Sequence, residues 1–441
     1  LQERKIYSTR VWVANQLRPA TVCFKDGTIT TLHFEKTHDA EDFGNAVIMP
    51  GVIDVHVHIN EPGRTEWEGF ETATQAAAAG GSTTIIDMPL NASPVTTTLD
   101  AFNQKLEASK DKMNVNVGFY AGLIPGNAAH LESLIQAGVV GVKCFLTHSG
   151  IDEFPNVTEK DLDEAMPIIA KHNIPLLAHC ELYETEIDCD FENNPTSYQH
   201  YLASRPKKWE NDAVDLMIRM CRKHNCPVHI VHVASAEALS KIEAAKKEGL
   251  PITAETCTQY IFFNAEDIPD GNCIYKCAPP IREKANNEQL KQAFFSGVLD
   301  FITTDHSPAP PNIKEMESGN LKKAWGGIAG IQFLLTASWT ALKNTMSLEQ
   351  FIPLVTSKPA NFIKANKKGT IQIGNDADFV IWNPDAIDLV KADDIFFRYK
   401  ISPYIAQNLN GKVLETIVNG ETVFQNNSIQ NKNKGQWLLQ K

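Results

Sequence analysis

Hydrophobic and polar positions alternate in two different textures along the chain. From residue 50 to about 366, short runs rich in Val, Ile and Leu are separated by segments of helical period. The runs are Ile48 to Val57, Ser82 to Asp87, Val115 to Tyr120, Val139 to Phe145, Ile174 to His179, Val228 to His232, Ile252 to Glu255 and Leu299 to Thr303. Each has the length and apolar content of a parallel strand covered on both faces. Helical spacing fills the gaps: Ala73 to Ala79 (stopped by Gly80-Gly81), Glu159 to Lys171, Asn211 to His224, Ala236 to Lys247 and Asn287 to Phe295. Strands alternating with helices in this rhythm predict an α/β chain, a (β/α)8 TIM barrel whose active site lies at the carboxyl ends of its strands. The competing fold is an open doubly wound sheet, but no G-x-G-x-x-G opens a helix after a strand.

The two ends of the chain read differently. Val11 to Ala14, Pro19 to Phe24 and Thr28 to Phe34 are short strands, with a hairpin signal at Lys25-Asp26-Gly27. The same texture returns in Asp376 to Trp382 and Val413 to Glu421. Neither end holds enough apolar surface for a core of its own, so the pattern predicts one small composite β domain built from both termini. The expected boundaries are residues 1–49 and 367–441 for that domain and 50–366 for the barrel.

Composition narrows the function. A formal charge of −12 over 441 residues, with no basic cluster, argues against a nucleic-acid backbone as partner. The short basic run Lys364, Lys367, Lys368 reads as a solvated helix end. Nine cysteines at irregular spacing, without a C-x-x-C, make neither a disulfide framework nor a zinc finger, and suit a reducing, cytoplasmic setting. No apolar stretch approaches a membrane span, and the first residues carry no signal-peptide core.

The candidate chemistry sits where a barrel would place it. His56 and His58 end the first strand, two residues apart and so on one face. Lys143 interrupts an apolar strand, His179 closes another, His229 and His232 lie in a third, and Asp305 follows a fourth. Two imidazoles at a strand end suit a transition metal. His232 lies nearer its strand end than His229 and is the expected ligand; His229 is read as structural or supporting. Asp305 is placed for ligation or proton transfer. A buried ammonium at Lys143 is costly; either it snorkels to the barrel mouth, or CO2 adds to it as a carbamate that bridges two cations. Two bridged cations can acidify a shared water and polarise a carbonyl. The residues alone therefore point to a two-metal hydrolase, and the lack of a Gly-rich loop disfavours phosphate esters.

His56-Val57-His58, Lys143, His179, His232 and Asp305 together resemble the metal-binding pattern of the cyclic amidohydrolases, the group of dihydroorotases, hydantoinases, dihydropyrimidinases and allantoinases. The stretches EPGRTEWEG, GVVGVKCF, LLAHCE, KCAPPIR, TTDHSPAPP and KKAWGGIAGIQ carry the likeness, and EPGR-x-x-WEG with AWGGIAG resembles the allantoinase subgroup. The resemblance implies one divalent cation on His56, His58 and Asp305 and a second on His179 and His232, with carbamylated Lys143 between them. It also implies attack by a metal-bridging hydroxide, with Asp305 shuttling the proton. Zinc is the family's usual metal, with cobalt or manganese as alternatives, and a homotetramer its implied assembly. Backbone groups near Ala278 and Gly326, and the loop at Ser307, would hold the substrate. Two positions depart from sister groups. Asn60 stands where dihydroorotases carry a carboxylate-binding arginine, and His148 stands where hydantoinases carry a tyrosine that steadies the oxyanion. These departures favour allantoin over a carboxylated ring, with a hydantoinase or dihydropyrimidinase as the runner-up. A barrel that has lost its ligands and serves as a scaffold is the rival from another class, and no ligand position is substituted here.

Overall fold

The computed structural model describes residues 3–183, 187 and 190–440. The apolar runs form the eight parallel strands of a barrel: β1 (Val52–Val57), β2 (Ser82–Asp87), β3 (Asn116–Gly122), β4 (Gly141–Phe145), β5 (Leu176–His179), β6 (Val228–Ile230), β7 (Ile252–Cys257) and β8 (Phe301–Thr303). They pair in sequence order from β1 to β8. Just past the ends of β8 and β1 the ring closes, where the His58 N–H donates to the His306 carbonyl at 2.8 Å and Val57 bridges to His306. Helices lie between the strands. Phe70–Ala79 buries Ala73, Ala76, Ala77 and Ala78, whose small side chains let the helix pack close to its neighbours. Glu159–Lys171 begins at a capping box in which Thr158 and Asp161 satisfy each other's backbone N–H groups.

One expectation needs correction. The run Ile48 to Val57 is not one strand. Val47–Pro50 belongs to a second sheet and β1 starts at Val52, with Gly51 as the break. A side chain at Gly51 would sit 2.0 Å from Thr83 Oγ1, so only glycine lets the two sheets approach here. The Gly51 N–H donates to Asp378 in the C-terminal part of the chain, while the Val52 N–H donates to Gly81 in the barrel.

The second sheet is assembled from both termini. Its order runs Ser428–Ile429, Glu421–Gln425, Asn408–Val418, Phe379–Leu389, Val47–Pro50, Arg4–Val13, Gln16–Lys25 and Thr28–His33, with Glu41–Asp42 beside Arg4–Val13. Ile6, Val22, Phe24, Ile48, Phe379 and Ile417 make its own apolar cluster. The hairpin expected at Lys25-Asp26-Gly27 forms, with φ of 50° at Asp26 and 79° at Gly27, the left-handed pair that matches the twist of the flanking strands.

Two C-terminal details differ from the sequence reading. Trp437–Leu438 leaves the small sheet and adds in parallel to β3 of the barrel. Lys368 is not a solvated helix end; it is largely buried and donates to Asp376 at 3.0 Å and Asp378 at 2.6 Å. Among the described residues no helix is long and apolar enough to cross a membrane.

Candidate metal centre

The strand ends deliver the expected side chains to one place. His56 lies in β1 and His58 just past it, Lys143 in β4, His179 at the last position of β5, His232 just past β6 and Asp305 just past β8; all are buried. His56, His232 and Asp305 each offer one donor atom within 4.8 Å of the others. The His179 and His232 rings meet at 4.6 Å, and His56 and His232 stack at 5.4 Å. His232 and Asp305 take left-handed backbone angles, with φ of 40° and 45°. Non-glycine residues held there cost roughly 1–3 kcal/mol each, and such strain concentrates at functional sites.

The protonation states follow from the partners. His56 Nδ1 faces Glu255 Oε1 at 2.5 Å, His58 Nδ1 faces the Leu90 carbonyl at 2.7 Å, and His179 Nε2 faces Glu181 Oε2 at 2.8 Å. A carbonyl or a carboxylate only accepts, so each of these ring nitrogens is the N–H donor and the opposite nitrogen carries the lone pair. For His56 and His58 those lone pairs turn into the site. The Nε2 atoms of His56 and His58 each lie 3.2 Å from Asp305 Oδ1. Acceptors crowded this closely repel unless a cation sits among them. Burial lowers the pKa of His56, against the pull of Asp305 and Glu255, and drives that of His232 well below its ordinary value. Protons are therefore a poor source of that positive charge. Neutral imidazole nitrogens and an ionised carboxylate are the donor set of a divalent transition metal, so the residues fit one.

Buried carboxylates brace the imidazoles from behind. Glu255 also faces His229 Nε2 at 3.2 Å, and His229 Nδ1 meets Thr253 Oγ1 at 2.7 Å. His229 thus stands behind the site, linked to His56 through Glu255. Burial would raise the pKa of Glu255, but His56 and His229 hold it well below the carboxylate range. Glu181 is treated alike by Arg205 and His179. Asp54 accepts from the His56 and Thr304 N–H groups and from Thr304 Oγ1 at 2.5 Å; burial pushes its pKa up to about 7. Burial would raise the pKa of Asp305, but any positive charge held among His56, His58 and Lys143 lowers it.

Lys143 is fully buried, and its Nζ has no hydrogen-bond partner among the described residues. Burial lowers its pKa despite Asp305 and Glu255. It does not snorkel. An ammonium here lacks acceptors for its donors, and a lysine with a depressed pKa is a nucleophile.

A cleft of about 900 Å³ opens in front of these groups, lined by His148, Ala278, Ser307 and Gly326 among others. Ser307 Oγ donates to Asp305 Oδ1 at 3.1 Å. His148 sits exposed at the rim with its ring turned to its own loop: Nδ1 accepts from Gly150 N–H at 3.1 Å and Nε2 lies 3.4 Å from Asp152. Asn60 is buried but does not line the cleft. Its amide donates toward Pro308 O at 3.4 Å and accepts from Asn91, which is the residue on the wall. Reading from sequence missed Glu255, Glu181 and Asp54. All three had a signal: an acid within an apolar run, or two positions from a ligand.

Strand-end ligands, paired acceptors and a cleft on a (β/α)8 barrel define a metal-dependent hydrolase. The sequence profile of the amidohydrolase family matches residues 47–423, and the chain belongs to that family. It is 42% identical to a probable allantoinase of Oryza sativa subsp. japonica over 95% of this chain and 87% of that one. It is 38% identical to the allantoinase of Saccharomyces cerevisiae over 98% of both. The L-hydantoinase (dihydropyrimidinase) of Arthrobacter aurescens superposes with a TM-score of 0.92 at 29% identity, covering 99% of each chain. The dihydropyrimidinase of Brevibacillus agri NCHU1002 shares the fold, with a TM-score of 0.90 at 22% identity.

Proposed function

We propose that this enzyme opens the hydantoin ring of allantoin to give allantoate. The observation that carries the hydrolytic reading is the convergence of His56 Nε2 and His58 Nε2 on Asp305 Oδ1, each at 3.2 Å. The choice of allantoin among cyclic amides rests on the allantoinase of Saccharomyces cerevisiae and the probable allantoinase of Oryza sativa, at 38% and 42% identity over nearly the whole chain.

His56, His58 and Asp305 would hold one divalent cation and His179 and His232 a second, with Lys143 carbamylated to bridge them; zinc is the first choice, cobalt or manganese the next. When bound, such cations acidify water and polarise the scissile carbonyl. Asp305, as a carboxylate, takes a proton from the attacking water as the oxygen bonds the ring carbonyl carbon. It returns that proton to the ring nitrogen as the C–N bond breaks, leaving a carboxylate and a ureido nitrogen. Glu255, Leu90 and Glu181 keep the imidazoles in the tautomers that face the site. Ala278, Ser307 and Gly326 line the substrate's side of the cleft. Asn60 acts through Asn91 and the Pro308 loop, and His148 works from the rim. The enzyme assembles as a homotetramer in the cytoplasm, an extension from family membership that sedimentation of the metal-loaded protein checks.

The test is a direct competition. kcat/KM is measured for allantoin, hydantoin, dihydrouracil and dihydroorotate with zinc-, cobalt- and manganese-loaded protein, alongside metal content. Allantoin should lead in at least one metal form. Hydantoin or dihydrouracil leading in all of them would make the protein a hydantoinase or dihydropyrimidinase, and fewer than about one ion per chain would remove the two-metal centre.

A further inference from the structure

Outside the lining of the cleft, Lys314 is almost fully buried. Its Nζ lies 3.2 Å from the carbonyl of Lys276, 3.1 Å from that of Trp325 and 2.7 Å from that of Gly327. An ammonium has three N–H donors, and backbone carbonyls take all three. Burial lowers its pKa to about 8. A charge buried with only neutral acceptors is a poor way to stabilise a fold, and an apolar side chain of similar volume would be cheaper. The carbonyls it draws together come from two loops. One holds Lys276 and Ala278, the other Trp325, Gly326 and Gly327, and Ala278, Trp325 and Gly326 face the cleft. Gly327 N–H donates to the Lys276 carbonyl at 2.9 Å, a second tie between the loops. A third comes from Lys276 itself, whose Nζ reaches the Ala324 carbonyl at 2.5 Å and the Lys322 carbonyl at 3.4 Å.

The consequence lies in the peptide plane. In a trans peptide the carbonyl and the following N–H point in opposite directions. The Trp325–Gly326 bond is trans, so pulling the Trp325 carbonyl back onto Lys314 turns the Gly326 N–H away from Lys314. A Cβ built on Gly326 would meet Ala278 N and Cβ at 3.8 Å, so the two loops lie in ordinary van der Waals contact at this point.

We infer that Lys314 is a positioning residue for substrate: it fixes the Trp325–Gly326 peptide so that the Gly326 N–H is presented to a carbonyl of the cyclic amide. This rests on the cyclic-amide reading of the cleft. The Gly326 N–H that Lys314 aligns is a donor for an uncharged, carbonyl-rich ring, and the binding it provides is present in ground state and transition state alike.

Lys314→Met keeps the volume and removes the donors. With wild-type metal content, its KM for allantoin should rise about tenfold while kcat stays within about threefold, the pattern of lost uniform binding. A merely structural role would lower kcat and metal content together and leave KM unmoved. KM unchanged within about twofold, or a loss confined to kcat, overturns the inference. Should Lys314→Met fail to fold, Lys314→Gln is read instead: it removes the charge and shortens the reach, its KM should rise about threefold, and an unchanged KM overturns the inference equally. Wild type inert toward allantoin would sink the substrate assignment alone. The same KM comparison is then made on whichever cyclic amide is turned over.

Discussion

The two walls of the cleft solve one physical problem with opposite charges. On the imidazole wall, side chains do the presenting, and carboxylates stand behind them: Glu255 behind His56, Glu181 behind His179. On the loop wall, backbone does the presenting, and an ammonium stands behind it, with Lys314 gathering three carbonyls. Both walls hold polar groups against a buried charged partner of fixed orientation. A carboxylate selects the tautomer of a ring; an ammonium selects the direction of a peptide plane. Charge on the first wall is tuned for a cation, whereas the second offers neutral donors to a neutral ring.

Removing the groups at the centre of the imidazole wall should have the largest effect. Asp305→Asn should keep the fold yet lower kcat by roughly 10²–10⁴-fold, the usual worth of a general acid-base group. A rate near wild type would take Asp305 out of the chemistry. Lys143→Ala should abolish turnover, and added short carboxylic acids should restore a fraction of it if a carbamate is what the wild type uses. Rescue by amines instead of acids would point to a free lysine.

One layer back, the effect should shrink. Glu255→Gln keeps the shape but cannot hold His56 as a full carboxylate does, and loss of such a support typically costs 10–100-fold in metal affinity or activity. Competition with a chromogenic chelator measures it. Unchanged affinity would mean that Glu255 only fills space.

The smallest effect is a pH dependence of the loop wall. Burial lowers the Lys314 pKa from an ordinary 10.5 to about 8. Between those values the unfolded chain holds the proton that the folded one has released, so stability rises with pH across that window. The thermal midpoint of Lys314→Met should climb less than that of wild type between pH 8 and about 10.5. Parallel curves would place the charge elsewhere.

Much of the imidazole wall was legible in sequence because strands have a period. His56 and His58 two apart, His179 closing Leu-Leu-Ala, and Asp305 after Phe-Ile-Thr-Thr all declare strand ends before any fold is known. Asp54 and Glu255 could have been read too, since a carboxylate inside an apolar strand must face something that justifies it. The loop wall could not. Lys314 lies among Pro310, Pro311 and Asn312 in a segment that looks like solvent-exposed turn, and its partners are carbonyls, which every residue has. Asn60 shows the same limit from the other side. Its position beside the second histidine is plain in sequence, but whether its amide faces substrate or Asn91 depends on a left-handed turn, φ 67°, that periodicity does not encode.

The break at Gly51 also bears on how the molecule is made. Val47–Pro50 pairs with Phe379–Trp382, so a ribosome that has just delivered the first metal-site histidine must add more than 300 residues before that neighbouring strand finds its partner. Until then the early sheet has an open edge directly attached to β1, and pairing across such a separation is slow. Nascent chains are therefore exposed to wrong partners for most of synthesis. Cutting the chain near residue 366, which would spare every candidate metal ligand, would leave that edge open for good.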